Sequence, residues 1–266
     1  MIDSSMDTVL CFDGSFEGFL SAVFEGYALK LLGADIVNQH RYVPSFLQTV
    51  IDCPTDPAKA VRVMTKLQAL CSKKELNEIL SAFLSENEQV YSSLYRLIQQ
   101  KIKRPKQAML SNLGDPDALL VSNLVQKVRR ERHRMCAFVR FEHGDDNLYF
   151  AKIIPDFDVL PLIAQFFRRR FAKQNWLIFD AHRHYGIYFN GAEAKPSLEM
   201  IVDIDQKMIH APKVFHSDIE SKYQKLWQVY FKHVSIEERK NIRHHVQQLP
   251  KRYWRFLTEK QGIEIP

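Results

Sequence analysis

The chain has 266 residues, of which 46% are hydrophobic and 26% charged, and its formal net charge at pH 7 is +6. This composition is typical of a folded soluble protein, and no apolar run approaches the roughly 20 residues that span a bilayer. The four cysteines are scattered without a C-x-x-C pair, which argues against an iron–sulfur or zinc site built from cysteine. The modest positive charge permits a polyanionic partner without requiring one. Because residues 1–6 do not form a signal peptide, we expect a cytoplasmic protein.

A strand pattern and a helix pattern open the chain. Thr8–Phe12 has the composition of a short strand, and Ser15–Leu32 has the spacing of a largely buried helix. Tyr42–Ile51 is again rich in residues that favour strands. These patterns predict a strand-to-helix corner near residue 13 and a further strand before residue 52.

Four helices are predicted next. Asp56-Pro57 is a cap followed by proline at the first helical position, and Ser72-Lys-Lys-Glu75 is a capping box. Apolar spacing indicates a third helix, and Asp115-Pro116 begins a fourth that runs toward Arg132. The predicted helices cover 57–70, a segment that opens at 72, 87–102 and a segment that opens at 116.

The second half of the chain alternates strand and helix patterns. Two strand patterns flank a turn at 143–147 and predict a hairpin, a helix pattern follows, and a second strand pair ends at Asn190-Gly191. Residues from Ser217 onward are predicted to be helical again. The predicted strands are Met135–Phe141, Leu148–Ile154, Trp176–Asp180 and Tyr185–Asn190, and the helix between the two hairpins is Asp158–Lys173.

These elements predict an α+β fold. We expect a small, mostly antiparallel sheet built from short hairpins, with helices before and after it. No internal repeat or low-complexity linker divides the chain. The sequence therefore predicts one compact domain over 1–266, with a weak internal seam near 104–114.

The stretch "CFDGSFEGF", from Cys11 to Phe19, supports two interpretations. In the structural one, Asp13-Gly14 forms a tight turn, and Asp13 or Ser15 caps the helix that follows. In the catalytic one, Asp13 or Glu17 acts as a general base at the strand-to-helix corner. The physical chemistry of caps and turns favours the structural interpretation.

Positive charge is concentrated in three clusters. The first is "KVRRERHR", whose arginines Arg129, Arg130, Arg132 and Arg134 exceed what helix capping requires. The second, "RRR" at 168–170, fans around roughly 200° of a helix because a turn takes about 3.6 residues. We expect these three side chains to form a solvated face, from which one or two could contact a polyanion.

The third cluster lies near the end of the chain and mixes cations with aromatic residues. Arg239 and Arg243 are one helical turn apart, and Lys251, Arg252 and Arg255 flank an aromatic pair in "PKRYWRFL". Cations that bind phosphates and flat rings that stack on bases are typical of proteins that bind single-stranded or distorted nucleic acid. The alternative is that the aromatic residues dock the last helix on the core.

Motifs of known chemistry are missing from the sequence. It contains no P-loop, no G-x-G-x-x-G, no H-E-x-x-H and no G-x-S-x-G. His182 and His184 could share one strand face, but no third ligand stands at a recognisable spacing, so surface histidines at a turn are the better interpretation. We expect neither a metal nor an organic cofactor.

The motifs "FDGSFEGFL" and "PKRYWRFL", with "HRMCAFVRF", "NWLIFDAHRHYGIYFNG" and "LWQVYFKHVSIEERKN", carry a resemblance. Together they resemble a bacterial family of DNA-metabolism or DNA-repair proteins, over nearly the whole chain. The resemblance implies a partner that is a radical S-adenosylmethionine protein. Some family members carry a fused C-terminal uracil-DNA glycosylase domain, for which we expect no room after Pro266. The family offers no catalytic residues to carry over.

The sequence thus leads to three functional hypotheses. The first is a protein of DNA metabolism or repair that binds DNA, single-stranded or damaged, and acts with the radical S-adenosylmethionine partner and away from membranes. The second is a scaffold that docks that partner without touching nucleic acid. The third is a nucleic-acid-modifying enzyme that uses Asp13 or Glu17. The nucleic-acid-binding candidates are Arg129, Arg130, Arg132, Arg134, Arg239, Arg243, Lys251, Arg252, Tyr253 and Arg255.

Overall fold

The structure is a computed structural model that describes residues 8–143, 147–193, 195–202 and 249–257. This part of the chain contains a parallel sheet, a mostly antiparallel sheet and the helices around them. Contacts divide the chain into two compact units, Met1–Arg129 and Arg130–Pro266, and the division falls inside the helix Pro116–Phe138. The single domain with a seam near 104–114 stays a prediction.

The first unit begins with a strand–helix–strand arrangement. Strand β1 (Thr8–Phe12) is followed by helix α1 (Phe16–Ala28), β2 (Asp35–Asn38) and β3 (Thr49–Asp52). The sheet order is β2-β1-β3 and both pairings are parallel. All three strands therefore end at the same edge, where Asp13 follows β1.

Aromatic rings fill the core beneath this corner. Phe12, Phe16 and Phe19 pack with Phe83 and Tyr91, with ring centroids 5.0–6.3 Å apart. Such separations are typical of edge-to-face and tilted aromatic pairs. The three phenylalanines of the "CFDGSFEGF" stretch are therefore explained by packing.

Three further helices complete most of the first unit, and local caps start two of them. Asp56 accepts hydrogen bonds from the backbone N–H groups of Ala58 and Lys59, and Ser72 and Glu75 form both bonds of the predicted capping box. The predictions of both caps are confirmed. The helices are α2 (Pro57–Leu70), α3 (Lys73–Phe83) and α4 (Val90–Lys103).

A buried ion pair ties α3 to α4. The Lys101 ammonium lies 2.8 Å from Glu75 Oε1, which also accepts a hydrogen bond from the backbone N–H of Met109. Burial raises the pKa of Glu75, but the bonds from Lys101 and Ser72 outweigh it and lower that pKa to about 2. The carboxylate is therefore held ionised inside the unit.

The second unit contains the larger sheet. After the end of α5 (Pro116–Phe138), the strands are β4 (Glu142–His143), β5 (Leu148–Ile153), β6 (Asn175–Asp180), β7 (Tyr185–Asn190) and β8 (Leu198–Val202). They lie in chain order, and every pairing is antiparallel except β5 with β6. Helix α6 (Leu160–Arg170) connects that parallel pair. The α+β prediction and the β6–β7 hairpin are confirmed.

Two strand predictions differ from the structure. Met135–Phe141 was expected to be a strand, but α5 continues to Phe138, because Val128 and Met135 follow helical spacing on its buried side. Of residues 135–143, only Glu142–His143 pairs with β5. In Tyr42–Ile51 only the last residues join β3, while the rest forms an exposed loop.

A short 3-10 helix, Lys251–Phe256, begins after Pro250, within the region predicted to be helical from Ser217 onward. The helix predicted from Ser217 falls mostly on residues 203–248, which lie outside the described residues. Among the helices of the described ranges, none is long and apolar enough to cross a membrane.

Candidate nucleic-acid interface

The exposed side of α5 carries most of the first basic cluster. Its buried side includes Val128, Glu131 and Met135, whereas Lys127, Arg130 and the neighbouring cations on the opposite side are exposed. The exposed basic or titratable residues of this stretch are Lys127, Arg129, Arg130, Arg132 and His133. Most cations of the cluster therefore face solvent, whereas its one acid is buried.

Some of these cations already have partners. The Arg129 guanidinium donates to Glu78 Oε1 at 3.1 Å, and Arg132 Nε donates to the backbone oxygen of Leu162 at 3.2 Å. Arg130 makes no ion pair or hydrogen bond with any described residue. Its charge is consequently available to a ligand.

Glu131 is the one acid within the "KVRRERHR" stretch, and it is only 1% exposed. Its Oε1 accepts from the Tyr253 hydroxyl at 2.5 Å and from the backbone N–H of Asp156 at 3.0 Å. Its Oε2 lies 3.1 Å from Arg252 and 3.7 Å from Arg134. A buried carboxylate needs such a complete set of partners, because an unpaired one costs several kcal/mol.

Arg252 belongs to this buried network. Besides Glu131, its Nη2 contacts Asp156 Oδ2 at 2.6 Å, and its guanidinium lies 4.6 Å from the centre of the Tyr253 ring. Two carboxylates therefore share the charge of Arg252. The docking interpretation of the third basic cluster fits this arrangement.

Tyr253 is 2% exposed, so neither face of its ring is open to a base. Burial and the hydrogen bond to Glu131 both raise the pKa of its hydroxyl, which stays protonated and donates. The enclosed ring and the bound hydroxyl of Tyr253 fit a docking role, and its contact with nucleic acid stays a prediction. Lys251 is exposed, the side chain of Arg255 is not described, and Arg239 and Arg243 lie outside the described residues.

The end of α6 carries a second group of cations in the same unit. Arg168, Arg169 and Arg170 are all exposed, and the Arg170 guanidinium lies 5.8 Å from the centre of the Phe171 ring. Cations are favoured in the last turn of a helix by its dipole. Phe166, one turn earlier, is 39% exposed, so an aromatic face accompanies the arginines.

One contact brings α5 and α6 together within the second unit. Arg132 reaches the backbone of Leu162, and on α6 the positions of Leu162, Phe166 and Arg169 fall on one side at spacings of four and three residues. Seven residues of helix span about 10 Å. Arg132, Phe166 and Arg169 are therefore candidates for one basic and aromatic surface.

The N-terminal corner has a different character. Asp13 Oδ1 accepts from both the backbone N–H (2.8 Å) and the hydroxyl (2.7 Å) of Ser15, and Oδ2 accepts from the Thr55 hydroxyl at 2.6 Å. Ser15 is the N-cap of α1 and accepts from the N–H of Gly18. A Cβ on Gly18 would lie 2.2 Å from Asp13 Oδ1, so any larger residue there would displace the Asp13 carboxylate. Asp13 therefore joins the ends of β1 and β3.

The protonation equilibrium of Asp13 fits this structural role. Burial raises the pKa of its carboxyl, but the hydrogen bonds from Thr55 and Ser15 outweigh burial, and the pKa lies below its ordinary value. A general base works best with a pKa near the operating pH. Glu17 is exposed on the first turn of α1. Within the part of the chain that the structure describes, no three His, Cys, Asp or Glu residues form a group suited to a metal ion.

Two functional features escaped the sequence-based predictions. Glu131 was counted only as a minor charge, although its spacing from Val128 and Met135 places it on the apolar side of α5. Phe166 was overlooked, although it lies off the buried positions Ile163 and Phe167 and next to three arginines. A helical projection of α5 shows Glu131 on the apolar side, and a projection of α6 shows Phe166 off the buried side.

Comparison with known protein families shows which family the chain resembles. The family model described as a domain of unknown function, DUF4130, matches residues 88–259, which is more than half of the chain. All basic candidates from Arg129 to Arg255 lie inside that span, whereas Asp13 and Glu17 lie before it. No curated protein matches the chain. The chain therefore belongs to the DUF4130 family.

Proposed function

We propose that this protein binds nucleic acid through the exposed cations of α5 and α6. In this proposal it acts in DNA metabolism or repair, together with a radical S-adenosylmethionine partner. The resemblance of its sequence motifs supports the DNA and partner parts of the proposal. The placement of the charged side chains supports the binding part.

The observation that carries the proposal is a group of arginines without carboxylate partners. Arg130, Arg168 and Arg169 are exposed and form no ion pair with any residue in the described ranges. In the same unit, Arg252 and Arg134 are neutralised by Glu131. Arg130, Arg168 and Arg169 thus differ from Arg252 and Arg134 in having no carboxylate among the described residues, which supports a role in binding phosphates.

Phe166 adds a preference for unpaired bases. An exposed aromatic ring among cations stacks on a base while its neighbours contact the backbone, and each stacked base contributes about 1–3 kcal/mol. Duplex DNA offers its phosphates but keeps its bases stacked on each other. We therefore expect single-stranded or damaged DNA to bind more tightly than intact duplex.

Fluorescence anisotropy with labelled DNA of about 20 nucleotides tests the proposal. The variant Arg130→Glu/Arg169→Glu/Arg170→Glu should bind at least about tenfold more weakly than wild type at low salt. The control Lys103→Glu/Arg104→Glu/Lys106→Glu changes the net charge equally, at exposed residues of the first unit. It should stay within about twofold of wild type. Equal weakening by both variants, or a wild type that binds no DNA, contradicts the proposal.

The scaffold hypothesis makes the opposite prediction for the same cations. If they dock an acidic face of the radical S-adenosylmethionine partner, the purified chain retains that partner but not DNA. Co-expression followed by tag purification, with and without the triple substitution, measures this retention. Partner retention lost in the triple variant, with no DNA binding by wild type, would favour the scaffold.

A further inference from the structure

The loop that joins β2 to β3 displays apolar side chains. Val43 is 83% exposed, Phe46 107% and Leu47 86%, and Val50 on β3 is 42% exposed. No residue from Tyr42 to Ile51 is charged. Exposed apolar patches of this kind mark interaction surfaces in proteins.

Polar contacts hold this loop in place. The Tyr42 hydroxyl donates to Gln48 Oε1 at 2.6 Å, and the backbone N–H of Gln48 donates to the carbonyl of Ser45 at 3.2 Å. Before the loop, the Arg41 guanidinium donates to the backbone oxygen of Glu86 at 2.7 Å. The apolar side chains are therefore presented by an ordered backbone.

The two edge strands of the adjoining sheet differ in whether their outward backbone groups have hydrogen-bond partners among the described residues. At the β2 edge, the Ser92 hydroxyl from α4 accepts from the N–H of Ile36 (3.0 Å) and donates to its carbonyl (3.2 Å). The outward backbone groups of Ile36 are thus satisfied by a helix. Proteins commonly cover an edge strand in this way to prevent further pairing.

The β3 edge has no such cover among the described residues. The N–H of Cys53 donates to the Cys11 carbonyl at 2.8 Å, and Val9 stands opposite Val50. Since alternate residues of a parallel strand direct both backbone groups to the same side, Val50 and Asp52 direct theirs away from β1. No described residue bonds to those outward groups.

We propose that a second copy of this chain covers this surface. In this dimer, β3 pairs antiparallel with β3 of the other copy about a two-fold axis that passes beside Ile51. The outward backbone groups of Val50 and Asp52 then pair with those of the equivalent residues. The two parallel sheets become one continuous sheet, and the apolar loops pack beside the new junction.

The size of the patch favours a second copy. Its four apolar side chains expose on the order of 500 Å², if a fully exposed side chain of this size presents about 150–200 Å². A stable interface buries about 800 Å² on each partner, and about 65% of a homodimer interface is apolar. The patch therefore supplies about the apolar area that one side of a dimer requires. The loops themselves bring no like charges together, because Tyr42–Ile51 carries none, and the two Asp52 side chains are the like charges that meet at the junction.

Sedimentation equilibrium of the full chain, over about 1–100 μM, tests this dimer independently of DNA binding. Wild type should show a monomer–dimer equilibrium. Phe46→Ser/Leu47→Ser should raise the dissociation constant at least about tenfold. Val50→Pro should do the same, because it removes an outward N–H that β1 does not use. The control Val61→Ser/Leu113→Ser alters equally apolar, exposed residues and should leave the dimer unchanged.

Thermal unfolding establishes that each variant is folded, and hydrogen exchange locates the interface. The amides of Val50 and Asp52 should exchange more slowly as the wild-type concentration rises. A wild type that stays monomeric throughout overturns the proposal, even if a different protein is then found on the loop. A dimer that the control weakens as much as Phe46→Ser/Leu47→Ser overturns it as well.

Discussion

Tyr253 donates its hydroxyl hydrogen to the buried carboxylate of Glu131, although the two residues stand 122 positions apart in the chain. The bond fixes the 3-10 helix at Lys251–Phe256 to the end of α5 in the second unit. Arg252 joins it on the same carboxylate. Arg252 and Tyr253 of the "PKRYWRFL" motif therefore have a structural role, while nucleic-acid contact by Lys251 and Arg255 stays a prediction.

Replacement of Tyr253 by Phe tests this docking role. The ring stays in place, but the carboxylate of Glu131 loses a donor, which costs about 1–3 kcal/mol when the acceptor is buried and charged. Urea unfolding of the variant should show this decrease in the free energy of unfolding. Tyr188→Phe is the control, because Tyr188 makes no hydroxyl bond with a described residue. Equal stabilities of the two variants would contradict the docking role.

Asp13 should prove structural at the strand-to-helix corner. Asp13→Ala removes the acceptor for Ser15 and Thr55, and hydrogen bonds to a charged group contribute about 1.5–3 kcal/mol. Glu17→Ala removes a carboxylate from the same helix end and should cost only about 0.3–1 kcal/mol. Denaturant titration of both variants compares these losses. If Asp13→Ala is no less stable than Glu17→Ala, the corner does not depend on Asp13.

The enzyme hypothesis has its own test at this position. Asparagine accepts a hydrogen bond from the backbone of Ser15 much as aspartate does, but it cannot act as a general base. Once an activity on nucleic acid is found, Asp13→Asn should retain it if Asp13 serves the fold alone. Loss of that activity with stability retained would instead identify Asp13 as the base.

Glu75 makes stability depend on acidic pH. Its pKa is about 2 in the folded chain against an ordinary value of 4.5, so the unfolded state takes up the proton first as the pH falls. The resulting stability is present above about pH 4.5 and is lost toward pH 2, and it amounts to on the order of 3 kcal/mol. Urea unfolding across this pH range should show the loss.

The matched pair Glu75→Gln and Glu88→Gln identifies the source of that loss. Glu75→Gln should remove the steep part of the pH dependence and destabilise at neutral pH, because Lys101 is left buried without its partner. Glu88 is exposed, so its substitution should leave the curve unchanged. A wild-type pH curve that Glu75→Gln does not alter would assign the loss to other carboxylates.

Phe166 should matter for single strands more than for duplexes. Phe166→Ala removes the exposed ring of the interface, and the loss of one stacked base costs about 1–3 kcal/mol, or roughly 5- to 150-fold in affinity. Leu113→Ala, at a similarly exposed apolar residue in the first unit, is the control. Anisotropy titrations with both kinds of DNA measure the difference. Equal weakening on single strand and duplex would exclude stacking.

Local sequence predicts the helix starts of the first unit and fails for the pairing of its strands. Asp56 and the Ser72–Glu75 box act within a few residues, so their bonds can be read from spacing. The parallel sheet joins β1 to segments at 35–38 and 49–52, and no local pattern encodes that partner choice. Tyr42–Ile51 shows the consequence, because strand-like composition there produces mostly an exposed apolar loop.

The candidate site shows the same division between local and distant effects. The excess of cations on α5 and α6 is visible in the sequence, and their exposure follows from the apolar spacing of each helix. The neutralisation of Arg252 was not predictable, because its partners Glu131 and Asp156 lie far away in the chain. Charge counting therefore could not show that Arg252 is paired within the fold, and the C-terminal cluster as a binding surface stays a prediction.

The salt dependence of duplex binding tests the central claim most directly. For wild type, the logarithm of the association constant should fall linearly with that of salt concentration, by about 0.9 for each phosphate contact. Arg130→Glu/Arg169→Glu/Arg170→Glu should reduce the magnitude of that slope by about 2–3, and Lys103→Glu/Arg104→Glu/Lys106→Glu should leave it unchanged. Identical slopes for wild type and the α5–α6 variant would contradict a nucleic-acid interface on these helices.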